Sequence, residues 1–340
     1  MQSEALVPKT KTWDYRRLLS DSAALGPFLT LVVLFVLFSA FIPHFLSWRS
    51  VSGIVNAATP IGIVTIGVTL LMICGEFDLS VGSLVALGGY AFAALLMAGV
   101  PAPLAVLAAL VLPTLFGLVN GLLLVWTGIP SFIVTLGTRS VYRGIVWLLS
   151  GGTLIQMLER PAVLTFFNGR FDLLNDLLPK GANFRTSLIW LTLMVLLFQY
   201  LLTRTTFGNH IFAVGGNVQA AASQGVNVRR VKVLSFCLSG MLAGLTGILL
   251  FSQFRTVRVT TGAGMELSAI AAAVVGGTAL SGGVGSIWGA LVGVLLISML
   301  RTGVILMDLP FIPADNFEAV VGATIVGAAI LNNWIQRRRS

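Results

Sequence analysis

Two carboxylates, Glu76 and Asp78, stand two residues apart in "LLMICGEFDLSVGSLVALGG" (70–89), a stretch that is otherwise apolar. A third, Glu266, opens another apolar run, "ELSAIAAAVVGGTALSGGVGS" (266–286). One ionised carboxylate near a bilayer centre costs roughly 2.5–3.5 kcal/mol. Such acids therefore either relay protons or mark breaks between helices. Other chemistry is sparse. Cys74 and Cys237 both sit in apolar segments without CxxC or His-linked spacing, and His44 and His210 lie far apart. Neither a disulfide nor a metal site is expected from them. No nucleophile–base pair or dinucleotide fingerprint appears, so the chain is not expected to be an enzyme and no catalytic residue is assigned.

The elements that must hold these acids are membrane spans. The chain is 56% hydrophobic and 10% charged, with a mean hydropathy of +0.96, whereas soluble domains carry about 25% charged residues. The apolar residues come in runs of about twenty, the length that crosses about 30 Å of hydrocarbon. The expected fold is an all-α polytopic membrane protein with about ten transmembrane helices. They lie near 24–43, 52–73, 79–99, 103–126, 130–150, 186–203, 231–251, 266–281, 285–303 and 315–334, joined by short connections as consecutive antiparallel hairpins. The broad Gly-rich turn near 266–290 also admits a re-entrant element. One transmembrane domain (24–334) is expected between a tail, 1–23, and a basic tail, 335–340. The first tail is not expected to be a cleaved signal, because the apolar run after it is too long and lacks an A-x-A site.

Most of the net charge of +9 comes from three segments: the N-terminal tail, the stretch 204–231 with Arg204, Arg229 and Arg230, and Arg337 to Arg339. Lys and Arg collect on the cytoplasmic side of membrane proteins. Ten spans put all three there, with both termini cytoplasmic and the mixed-charge loop 151–185 periplasmic. No basic patch with interleaved aromatics lies outside the apolar runs, so nucleic acid is not an expected partner. On this count Glu76 and Asp78 fall at a cytoplasmic turn near the membrane edge, where burial costs little. Asp78 would cap a helix beginning near Leu79. A faint internal repeat relates 75–89 to 276–293. It sets Asp78, Ser80 and Gly82 of the first turn beside Gly276, Gly277, Gly282 and Gly283 of the second. Repeats of this kind flank transport pathways, although Gly and Ser also recur by chance in Gly-rich hairpins.

Between the sixth and seventh spans, Arg204 to Phe236 is too polar to cross a membrane and too long for a simple turn. Val218 to Gln224 reads as a short helix. Asn217 can cap it, Ala220 and Ala221 help fill it, and Gly225 suits its C′ position. Within the spans, Ser131, Thr135 and Arg139 recur every four residues on one helix face. Asn56 and Thr59 share a face, and Asn120 sits between Gly117 and Gly121. These residues suit either the path of an uncharged, hydroxyl-rich solute or hydrogen-bonded glue between helices. Arg139 and Arg143 are costlier to bury and can instead pair with carboxylates or snorkel.

"GGNVQAAASQGV" resembles the cytoplasmic coupling segment of the ribose-type sugar permeases of bacterial ABC importers, whose usual form is close to G-G-N-x-E-A-A-R-x-S-G-I. Gly215, Gly216, Asn217, Ala220, Ala221 and Gly225 match. Gln219 replaces the usual Glu, Ala222 the Arg and Gln224 the Ser. "GEFDLSVGS", "IPSFIVTLGT" (129–138) and "ELSAIAAAVVGGTALSGGVGS" are similar to further signatures of that family, in the same order. The resemblance implies two ATPase subunits inside, a second permease chain (a copy or a close relative) and a periplasmic sugar-binding protein outside. ATPase coupling is expected at Gly215, Gly216, Asn217, Gln219, Ala220, Ala221, Gly225, Arg229 and Arg230. ATP and Mg²⁺ would sit on the partner subunits, since none of the four lysines follows a glycine and the chain has no P-loop. The loss of the acid at Gln219 leaves backbone, alanine packing and the basic residues to make the contact. Two other readings stand beside this one: a proton-coupled carrier using Glu76, Asp78 or Glu266, and an amino acid permease of the related importer group.

Overall fold

The computed structural model describes residues 25–307 together with Ala319, Gly322 and Gly327. The two tails, and the expected span at 315–334 apart from those three positions, lie outside the described residues. The chain runs α1 (Leu25–Phe41), α2 (Trp48–Ile73), α3 (Val81–Met97), α4 (Ala102–Thr127) and α5 (Ser131–Ser150). After β1 (Ile155–Gln156) come α6 (Ala162–Asn168), α7 (Asp172–Asn175), α8 (Ser187–Arg204), α9 (Thr206–Gly216), α10 (Val218–Ser223) and α11 (Val228–Phe254). β2 (Thr256–Val257), α12 (Met265–Val275) and α13 (Ile287–Met307) follow. Among the described residues six helices, α2, α4, α5, α8, α11 and α13, are long and apolar enough to cross a membrane; α1, α3 and α12 are shorter apolar helices. The protein is all-α and polytopic.

The bundle is organised around α11, which packs against α4, α3 and α2. Small residues let the backbones approach, as membrane packing requires where apolar burial alone gives no preference over lipid. Pro113 illustrates how. Lacking an N–H, it leaves the Ala109 carbonyl without its helical donor. A Cβ on Gly88 would lie 3.2 Å from that oxygen, and one on Gly244 would overlap it. Gly117, Gly121 and Gly240 make the same close approach between α4 and α11. The outward faces of α4 and α5, with Leu104, Leu107, Val111, Leu136 and Val141, remain exposed for lipid.

Two features differ from expectation. The spans are not all consecutive hairpins: α2 packs on α11, α13, α12 and α8, whereas α3 leaves it for α11, α4 and α5. The expected span 266–281 is only the eleven-residue α12. At 1.5 Å per residue it covers about half of the roughly 30 Å core. The chain reaches its start as irregular backbone, since Arg143 Nη1 donates to the Val259 carbonyl and a Cβ on Gly262 would lie 2.6 Å from the Gly82 carbonyl oxygen. Such backbone is tolerated in a membrane only where protein surrounds it.

The bundle has two distinct ends. The near end carries α9, α10 and the turns after α2 and α12. The far end carries the β1–β2 pair and the 151–185 segment. That segment is tied down by Asn56 Nδ2 donating to the Asn183 carbonyl (2.7 Å) and Asn168 Nδ2 donating to the Leu249 carbonyl (2.9 Å).

Candidate functional site

At the near end, the expected loop 204–231 is two helices. Thr205 begins α9 by accepting from Gly208 N–H (3.2 Å). Asn217 ends α9 and caps α10, its Oδ1 accepting from Ala220 N–H (3.0 Å). Ala221 is buried while Gln219, Ala220, Arg229 and Arg230 are exposed. Gly225 follows the helix at φ +83°, the left-handed conformation expected of it. Asn227 then caps α11. α10 therefore has defined ends, one buried side and one free side. Gly215 and Gly216 close α9 against the turn after α2, where Gly75 lies, and against Gly282 and Gly283 of the α12–α13 turn.

Glu76 forms an ion pair with Lys232 at the start of α11. Both side chains are largely buried, so Glu76 ties the α2–α3 turn to the start of α11.

Asp78 lies deeper than expected. It is fully buried and accepts from Ser80 N–H (2.8 Å), Ser80 Oγ (2.6 Å) and Ser239 Oγ (3.3 Å). Asn120 Nδ2 donates to Ser80 Oγ (2.8 Å), and Tyr142 Oη donates to Asn120 Oδ1 (2.7 Å). Asn120 sits about two turns inside the end of α4, and Ser239 about three turns inside the start of α11. The turn at 74–80 thus dives roughly 10–16 Å into the bundle rather than staying at its edge. The expected cap is also corrected: α3 begins at Val81, and Asp78 holds Ser80 in a local turn instead of capping a helix from Leu79.

Three expected path residues serve this turn. Ser131 Oγ accepts from Phe77 N–H (3.0 Å), Thr135 Oγ1 lies 3.4 Å from the Phe77 carbonyl while donating to the Ser131 carbonyl of its own helix (2.7 Å), and Asn120 joins the Asp78 network. Thr59 donates to the Val55 carbonyl within its own helix, and Asn56 belongs to the far end. Arg139 differs. Its guanidinium pairs with Glu266 at 2.7 Å, and it stays about one-third exposed while Glu266 is buried. Glu266 starts α12 and abuts Gly82 at the start of α3. Two helix starts therefore meet inside the bundle, flanked by Asp78, Glu266, Arg139 and Arg143. Sequence reasoning singled out Asp78, Glu266 and Arg139 separately, but their meeting, and the role of Tyr142, had no linear signal.

The family model for "Branched-chain amino acid transport system / permease component" matches residues 50–329, nearly the whole described bundle. The chain belongs to this permease family. It is 36% identical over 316 residues to the probable ABC transporter permease protein YphD of Escherichia coli (strain K12), covering 93% of this chain and 91% of that protein. It is 34% identical over 309 residues to the autoinducer 2 import system permease protein LsrC of Salmonella typhi, covering 91% and 85%. LsrC of Photorhabdus luminescens is 32% identical over 295 residues, covering 86% of each chain. No solved structure matches significantly. The protein is thus an ABC importer permease of the bacterial inner membrane, a transport subunit and not an enzyme.

Proposed function

We propose that this permease moves a sugar, a polyol or a similar small hydroxyl-rich molecule inward by alternating access, driven by ATPase subunits in trans. The observation that carries the coupling assignment is α10, a capped helix with one free side, held by α9 and α11 at the basic end of the bundle. In this reading α10 with Arg229 and Arg230 receives the ATPase, ATP and Mg²⁺ sit on that partner, and the near end is cytoplasmic. A periplasmic binding protein docks on 151–185, and a second copy or a close relative completes the path. Both termini are cytoplasmic and the count is about ten spans, one of them made jointly by the irregular backbone after β2 and the half-length α12. The hydroxyl-rich substrate is supported by relatives named for autoinducer 2 import.

Purified permease reconstituted with its ATPase and binding protein should accumulate substrate only with ATP. Accumulation by the chain alone down a proton gradient would refute the reading.

One observation favours a second substrate class. The Arg139–Glu266 pair inside the bundle offers a cation and an anion together, which is what a zwitterionic amino acid requires. Binding-protein competition between sugars and amino acids decides between them.

A further inference from the structure

Three backbone segments meet at the near end with no side chain between them. The Ile73 carbonyl ends α2, where helical carbonyls have no partner of their own. It accepts from Gly283 N–H at 2.8 Å, so the end of α2 is hydrogen-bonded to the α12–α13 turn. Gly215, at the end of α9, fills the remaining corner. A Cβ there would overlap the Ile73 carbonyl oxygen outright and lie 2.7 Å from the Gly283 nitrogen. On the third side, a Cβ on Gly282 would lie 2.8 Å from the Gly215 carbonyl and 3.0 Å from Gly75 Cα. Backbone packed on backbone has no rotamer to flex, so displacing one segment displaces the others.

The two turns gripped here are equivalent in detail. Gly75 and Gly277 are both left-handed. Gly75 N–H donates to Met72 O and Glu76 N–H to Leu71 O; Gly277 N–H donates to Val274 O and Thr278 N–H to Ala273 O. Each is the doubly hydrogen-bonded helix ending. From these turns the chain leads inward on both sides. Residues 75–80 run to the start of α3, and α12 runs back to Glu266, and the two meet again at Gly82. One junction at the near end therefore holds both segments whose inner ends cross beside Arg139.

We propose that this junction is a rigid relay. It carries movement of α9–α10 into α2–α3 and α12–α13 together, and Gly215 is the positioning residue on which it depends. The relay rests on the reading that α10 receives the ATPase.

The test uses the full complex in lipid vesicles. Gly215→Ala should lower uptake per ATP hydrolysed by assembled complex about tenfold, the scale on which substitutions along a coupling network act. Gly216→Ala should cost much less, because its Cβ meets nothing within 4 Å. Equal losses at the two positions would overturn the relay. A second measurement does not depend on how Gly215→Ala folds. Spin labels at Ser223→Cys on α10 and Leu280→Cys on the α12–α13 turn, with Cys74 and Cys237 replaced by Ala, should keep one distance distribution with and without ATP. A nucleotide-dependent change in that distance would overturn the proposal. Cross-linking Ser223→Cys to the ATPase separates the two levels. No cross-link defeats the docking reading, whereas a cross-link with a changing distance defeats the relay alone.

Discussion

At the scale of single residues, Asp78 shows how a motif conceals its purpose. Its carboxylate satisfies the Ser80 amide and hydroxyl and holds the 74–80 turn in place inside the bundle. Asp78→Asn keeps an oxygen for both Ser80 donors and an amide that Ser239 can accept from. It should retain near-normal uptake, which a proton relay would not survive. Asp78→Ala takes the acceptor from three buried donors and should destabilise the protein by about 1–3 kcal/mol, read as a lower midpoint in detergent unfolding. The Glu76–Lys232 pair makes a separate prediction. Glu76→Gln should cost about 1–2 kcal/mol, more than an exposed pair because its lysine is left largely buried. Adding Lys232→Met should recover much of that loss, and a double-mutant cycle on unfolding midpoints measures the coupling.

Elements differ in how openly they are written. α10 was legible because all its determinants are local: an Asn cap, three alanines and a glycine at the required left-handed position. Asn217→Ala should weaken it by about 1 kcal/mol and reduce ATP-driven uptake in proportion. Gly225→Pro, or a bulky residue at Ala220, should abolish uptake while membrane insertion stays normal, checked by protein level and ATPase co-purification. α9 was not read as a helix because its three glycines disfavour one, although Phe207, Ile211 and Val214 stand at i, i+4 and i+7 and pack into the core. α12 was misjudged for the opposite reason. Apolar composition continues past Val275, but Gly276 and Gly277 end the helix, and hydropathy counts residues without regard to their hydrogen bonds. The candidate site was legible as residues and not as a place. Glu266 and Arg139 lie 127 positions apart in the chain, and only the diving turn and the short helix bring them beside Gly82.

For the whole molecule, the proposed orientation rests on the three basic segments of the sequence, and labelling tests it directly. Ser223→Cys and Leu177→Cys are both exposed positions, at opposite ends. In intact cells a membrane-impermeant thiol reagent should modify Leu177→Cys and spare Ser223→Cys, and inside-out vesicles should reverse the pattern. The opposite result would invert the assignment of coupling and outer faces. Glycine contacts of α11 with α2, α3 and α4 make the centre of the bundle closely packed.

The brevity of α12 also bears on how the protein is made. Eleven residues do not satisfy the translocation machinery as a stop-transfer signal, and the irregular backbone before them exposes polar groups that lipid will not accept. This segment is therefore expected to enter the bilayer together with α13, on which it packs. A chain ending at Val284 should therefore leave residues 258–284 open to protease although every earlier span is already inserted. The helix that meets α3 inside the bundle would then be the last of these to enter the membrane.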